Sequence, residues 1–204
     1  MFIFICTDEL DQYKDDTFRV QDTEREAELL NAGYRRHDRE FIIIEKHRRI
    51  SLICPEFRNE AKGLEAIVII PDFFVPRRPY PVYVYLYAID LYSSSPDKGQ
   101  RWAAEETRKR FGLPTFAHTT LGRALKSFVR MIAGNPTASE GSSAEAPCDA
   151  KAPAFPTTKS TKSLRECASQ FLAVKLDCID RRQTVASYCG LARDWFREYQ
   201  RFLL

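Results

Sequence analysis

The stretch "RKRFGLPTFAHTTLGRALKSF", Arg108 to Phe128, decides how the chain is read. A short basic helix ends at a glycine. A turn follows, and a second basic helix begins. Gly112 suits the left-handed residue that closes a helix, and Leu113-Pro114 makes the turn. Thr115 reads as the N-cap of the next helix, which runs to about Ile132. Leu121, Leu125 and Phe128 fall at i, i+4, i+7 and form its apolar stripe. Helix, glycine-led turn, helix is the outline of a helix-turn-helix. Gly112 and Leu113 occupy its turn, with Phe111 and Leu121 beneath.

Charge is concentrated on this segment. Between positions 98 and 130, Lys98, Arg101, Arg108, Lys109, Arg110, Arg123, Lys126 and Arg130 face only Glu105 and Glu106. That local excess of +6 is twice the net +3 of the whole 204-residue chain. The first thirty residues lean acidic, so the chain is polarised with its basic pole on the two helices. His118, Thr119, Thr120, Gly122, Arg123, Lys126 and Arg130 are predicted on the outer face of the second helix. Arg123 is the candidate for a guanine edge, because its fork matches O6 and N7. Thr119 and Thr120 lie where backbone N–H groups meet a phosphate, and Gly122 would let a nucleic-acid backbone come close. Arg108, Lys109 and Arg110 would sit over phosphates. A charged helix pair that is merely solvated remains the alternative.

Outward from this segment the chain reads as α+β. "MFIFIC" is a short strand, too short and without the basic flank of a secretory signal. "DTEREAELLNAGY" carries a capping box, Thr23 with Glu26, and Gly33 closes a helix over 24–31. Phe41 to Glu45 and Ile50 to Cys54 form a hairpin broken at positions 46–49, and Ala66 to Ile70 adds a strand stopped by Pro71. The sheet has three or four strands. "VPRRPYP" is an extended connector. Val82 to Tyr92 is a helix, although Tyr83, Tyr85 and Tyr87 alternate like a strand. A helix over 102–111 follows. Positions 134–162, rich in Ala, Pro, Ser and Thr, read as a disordered linker. Ser163 and Glu166 then cap a helix from Leu164 to about Ile179. A last helix carries Ala192, Trp195, Phe196, Tyr199, Phe202 and Leu203 on one stripe. The organisation is a β-rich module over 1–76, a helix-turn-helix domain over 77–133, the linker over 134–162 and a C-terminal helical pair over 163–204.

Around the opening stretch, "IPDFFVPRRPY" and "VYVYLYAIDLYSSSPDKGQRWAAEETRKRFGLPTFAHTTLGRALKSF" resemble a family of uncharacterised bacterial proteins. These pair a zinc-ribbon-like module with a helix-turn-helix and are similar to the DNA-recognition parts of transposases. The likeness covers positions 33 to 128. It implies duplex DNA as partner and two C-x-x-C knuckles ahead of "PDF". Here Cys54 matches the first cysteine of one knuckle, but Phe57 stands where the second belongs ("CPEF"). "TEREAELLNAG" has no cysteine at all. The residues deny the metal, and Ile42 to Ile44, Leu52 and Ile67 to Ile70 are expected to hold the sheet instead.

Other chemistry is not written in the residues. The six cysteines show no C-x-x-C pair, and free thiols in the cytoplasm are the expectation. Asp72, Asp90 and Asp97 do not form a two-metal cluster, and Asp90 reads as a helix-surface residue or a local cap partner. There is no phosphate loop of the G-x-x-x-x-G-K type, and no apolar run reaches membrane-spanning length. No catalytic residue, cofactor or metal is expected. The dense tyrosine run from Tyr80 to Tyr92 reads as core rather than a base-stacking platform. The favoured expectation is a non-enzymatic duplex DNA-binding protein. The competing one is a protein-interaction module or homodimer using Trp195, Phe196, Tyr199 and Phe202. A decayed gene product is the third.

Overall fold

The computed structural model describes residues 2–5, 16–59, 63, 65–133, 161–177, 185–199 and 201–204. The linker expected over 134–162 lies outside them except for its last two positions. Among the described residues the chain is α+β: β1 (Phe2–Ile5), β2 (Thr17–Arg19), α1 (Thr23–Asn31), β3 (Arg35–Glu45), β4 (Arg48–Arg58), β5 (Ile67–Pro71), α2 (Val82–Ser94), α3 (Gln100–Arg110), α4 (His118–Ala133), α5 (Thr161–Asp177) and α6 (Val185–Tyr199). They form two compact units. The first comprises residues 1–82 and 111–114, the second 83–110 and 115–204. The C-terminal helices therefore group with α2, α3 and α4 rather than standing as a separate module.

The first unit is built on one sheet of five strands, larger than the three or four expected. β3 and β4 are an antiparallel hairpin paired from Arg35↔Arg58 to Glu45↔Arg48. The turn is Lys46-His47, with φ of +43° and +62°. Two positive φ values define the turn type whose twist matches a hairpin, a place usually taken by Asn-Gly. The hairpin is longer than its apolar segments because Arg35 to Glu40 are polar, exposed and still paired. Charges on a strand at the sheet's margin discourage a second chain from adding to it. Arg19 and Arg36 both pair with Asp38, and Arg36 also reaches Glu26 at 3.0 Å.

The other edge of β4 is shared. Residues 51–53 pair in parallel with β2, and residues 56–57 pair antiparallel with β5, which in turn pairs in parallel with β1. Ser51 donates its N–H to the Asp16 carbonyl, and Ile53 accepts from Val20, so both face the β2 side. By strand alternation the Pro55 nitrogen points the same way, into the gap between β2 and β5. A proline is tolerated there because no rung of the ladder needs its N–H.

The "CPEF" stretch runs straight through β4 instead of bending as a metal knuckle would. Cys54 and Phe57 are both fully buried, alongside Ile43, Leu52, Ile69 and Ile70. Burial pushes the Cys54 thiol up to about 12, and the side chain packs as a small residue of the core. The hydrophobic replacement expected for the sheet holds with one correction. Ile42 is 58% exposed, because alternation along β3 turns it away from buried Ile43.

Two helix starts differ from expectation. At α1 the N-cap is Asp22, not Thr23. Its carboxylate accepts from the Arg25 N–H at 3.1 Å, while its own N–H donates to Glu26 at 3.2 Å. Gly33 closes that helix at φ +86° as anticipated. At α5 the helix already runs from Thr161, so Ser163 is a buried residue within it rather than its cap.

The second unit is helical. α2 is apolar nearly all round. Val82 to Leu86, Ala88 and Ile89 are all buried, which is why periodicity could not choose between helix and strand. The tyrosines are core: Tyr83, Tyr85 and Tyr92 are at most 6% exposed. Asp90 needs correction. It is only 9% exposed, and Tyr188 of α6 donates to its carboxylate at 2.7 Å. Burial raises the Asp90 carboxyl above its ordinary value, and the Tyr188 hydrogen bond pulls it partly back.

A carboxyl whose folded pKa is raised holds its proton longer in the folded chain than in the unfolded one. Stability therefore falls as pH rises from the ordinary aspartate range through the raised value. Tyr188→Phe removes the donor that makes the charged form tolerable. The variant should be about 1–3 kcal/mol less stable than wild type near neutrality, with the deficit shrinking toward acid pH. Urea midpoints from pH 4 to 8 measure this; a deficit independent of pH would assign the loss to packing alone.

Candidate nucleic-acid interface

α4 is cleanly two-faced. Leu121, Ala124, Leu125, Phe128 and Ile132 are fully buried, and Val129 is 6% exposed. Thr119, Arg123, Lys126 and Arg130 recur at i, i+4, i+7, i+11 on the opposite side, and all four are exposed. The helix contains no acidic residue. Arg123, Lys126 and Arg130 make no ion pair among the described residues. Three positive charges are thus displayed on one line, backed by a packed apolar face that fixes their direction.

α3 behaves differently. Arg110 is exposed, and it too makes no ion pair among the described residues. Arg108 binds Glu105 through two hydrogen bonds, of 2.7 and 3.1 Å, and Lys109 pairs with Glu106 at 3.0 Å. The hydrogen bond from Arg108 holds the Glu105 carboxyl below its ordinary value. A phosphate approaching Arg108 or Lys109 has to compete with a carboxylate on the same helix. The first helix therefore offers less free charge than its sequence suggests.

The helix start and the turn also shift. α4 begins at His118 rather than next to Thr115. Ala117 caps it, its carbonyl accepting from Thr120 at 2.9 Å and Leu121 at 3.2 Å. The Thr120 N–H is thus already used, and Thr120 itself is half-buried, whereas His118 and Thr119 are exposed. Residues 111–117 separate α3 from α4, a connection longer than the tight three- or four-residue turn of the motif. Gly112 does adopt the left-handed conformation, at φ +57°. Within the first unit it lies beside His47, whose ring would be 3.6 Å from an added Cβ.

Gly122 lies beside α3 and is half-buried. A Cβ there would meet Oε1 of Gln100, the first residue of α3, at 3.1 Å. That contact is tight, but the Gln100 amide is the far end of a half-exposed, flexible side chain. Glycine inside a helix costs about 0.5–1 kcal/mol relative to alanine. Gly122→Ala should therefore stabilise the protein and raise Tm by about 2–3 °C. A fall in Tm on thermal unfolding would show that Gln100 cannot yield.

The C-terminal aromatic stripe is buried in its first half. Trp195 and Phe196 are 3% and 6% exposed. Trp195 meets Phe171 edge-on at 5.6 Å between ring centres, and Phe171 meets Phe128 of α4 at 5.5 Å. Tyr199 lies 4.3 Å from Trp195, and Phe202 lies 5.1 Å from Phe196. Trp195 and Phe196 are thus packed inside the second unit, behind the buried face of α4, while Tyr199 and Phe202 are half-buried.

Among the described residues no group of three or more His, Cys, Asp or Glu is placed to hold a metal ion. None of the described helices is long and apolar enough to cross a membrane. A cavity of about 550 Å³ is lined by Tyr92, Ser93, Pro96, Arg165, Glu166, Ser169 and Gln170. The two unsatisfied donors beside it, Ser93 Oγ and Arg165 Nε, are sealed from solvent and are not presented to a ligand. No protein-family model, no curated protein and no solved structure matches the chain.

Proposed function

We propose that this chain is a non-enzymatic duplex DNA-binding protein that reads the major groove with α4, in a cytoplasmic setting of regulation or of mobile-element maintenance. The observation that carries this reading is the exposed, acid-free line of Thr119, Arg123, Lys126 and Arg130 on a helix whose other face is fully packed. A groove reader needs such a helix: rigid from behind, cationic in front, with an arginine able to fork onto a guanine. Arg123 takes the base edge. Lys126, Arg130 and Arg110 hold phosphates, with His118 and Thr119 at the leading end. Arg108 and Lys109 are secondary phosphate contacts, available once Glu105 and Glu106 are displaced.

The test is fluorescence anisotropy of a labelled mixed-sequence duplex titrated with the full chain at several salt concentrations. Three phosphate-holding cations free of ion pairs, Lys126, Arg130 and Arg110, correspond to a log–log salt slope of about −3. If Arg108, Lys109 and the rest all engaged equally, the slope would be steeper. Absence of binding at low salt would end the proposal.

A further inference from the structure

α3 and α4 are joined by seven residues, 111–117, too many for the connection alone to fix the angle between two helices. In a tight helix-turn-helix the short turn does that work. Here the direct packing of α3 on α4 needs a further hold, and α5 touches both α4 and the segment that enters α3.

Near its N-terminal end, α5 carries Arg165. Its guanidinium lies 4.3 Å over the ring of Tyr92 and donates to the carbonyls of Ser95, of Pro96 at 2.9 Å and of Lys98 at 3.3 Å. These carbonyls belong to the segment that leaves α2 and enters α3. A cation is favoured beyond the C-terminus of α2, where carbonyls lack helical partners. A planar guanidinium presents its donors in a fixed fork, which lets it serve these three carbonyls while stacking on Tyr92. Directly after this segment comes Gln100, whose side chain rests against Gly122 of α4. Six residues after Arg165 on α5 stands Phe171, packed edge-on against Phe128 on the buried face of α4. Six helical residues span about 9 Å, the ordinary distance between packed helix axes.

We infer that α5 is the brace that sets α3 against α4, with Arg165 as its positioning residue at the entry to α3 and Phe171 as its anchor on α4. The structural half of this inference stands on the contacts above. Its consequence for DNA rests on the proposed function. Arg165 touches no nucleic acid. It acts by fixing the 95–99 segment, so that Gln100 keeps its place beside Gly122 and the exposed lines of the two helices keep one orientation.

The experiment compares wild type, Arg165→Ala and Arg165→Lys as full chains, by hydrogen exchange and by duplex anisotropy. In Arg165→Ala, amides of residues 95–104 and 118–123 should exchange roughly tenfold faster or more, while those of β3 and β4 keep their protection. Arg165→Lys, which keeps the charge but not the fork, should fall between. Unchanged exchange at 95–104, or equal acceleration throughout the sheet, would overturn the brace. At a temperature where circular dichroism shows all three folded, Arg165→Ala should bind the duplex roughly tenfold more weakly and with a flatter salt slope, because fewer phosphates are met together. Faster local exchange with unaltered affinity and slope would overturn the link to DNA. If wild type binds no duplex, the functional reading falls, and the exchange data still decide the brace.

Discussion

Trp195→Ala should destabilise the second unit by about 3–5 kcal/mol, the cost of emptying a large aromatic site in a packed core. The indole is 3% exposed and sits between Phe171 and Tyr199, within an aromatic chain that reaches α4 through Phe128. Removing it opens a cavity behind the buried face of α4. Two features make the outcome diagnostic. Were α5 and α6 a tethered module with its own life, the loss would leave the unfolding of α2 to α4 untouched. In a shared core, α2 to α6 should lose stability together, with the urea midpoint moving and the slope preserved. Trp195→Phe gives the contrast. The indole N–H is buried with no hydrogen-bond partner among the described residues, so the smaller ring sheds an unsatisfied donor while keeping most of the packing. Its penalty should be well under that of alanine. Equal penalties for the two variants would mean that the site does not tolerate even a shape change.

The same aromatic chain explains what was legible in the sequence and what was not. Helical periodicity exposed the buried stripe of α4 and the opposite line of Arg123, Lys126 and Arg130, because one helix records both faces at fixed spacing. It could not say where the stripe of α6 goes. An apolar face reads the same whether it meets a partner or its own chain, and only the tertiary packing of Trp195 on Phe171 decides between them. Hydrophobic runs locate β4 and β5, but the polar half of β3 is hidden, since Arg35 to Glu40 carry no apolar alternation although they pair along β4. Asp90 misleads for a related reason. Its neighbours in sequence fit a surface position, whereas its partner Tyr188 lies ninety-eight residues away. Gly122 reads as room for a nucleic-acid backbone because glycine permits any close approach, and nothing local tells a phosphate from Gln100. Likewise the charge tally of α3 was right as a count. It overstated the free charge because Glu105 and Glu106 stand three residues before Arg108 and Lys109, a spacing that lets each pair close.

That last point fixes the second large effect. Arg123→Glu combined with Lys126→Glu should reduce duplex affinity by about a hundredfold or more at moderate salt. Two attractive contacts become two repulsive ones on the line that α4 presents, and each lost phosphate contact removes roughly one unit of salt slope. The fold should be unaffected, since both residues are exposed, pair with no carboxylate among the described residues and lie opposite the packed face. The single variants separate reading from holding. Arg123→Ala should erase preference at one base position, worth about 1–3 kcal/mol. Lys126→Ala should weaken all duplexes alike. Lys109→Ala should also act alike on all sequences but more weakly than Lys126→Ala, because Lys109 begins paired with Glu106 and gives up that pair on binding. The ordering is what the geometry demands. If Lys109→Ala cost as much as Lys126→Ala, the Glu106 pair would not form in solution and α3 would be a full phosphate contact. If the double reversal left affinity intact while circular dichroism stayed native, the line on α4 would be a solvated face, and the duplex would have to be held by other cations of the chain.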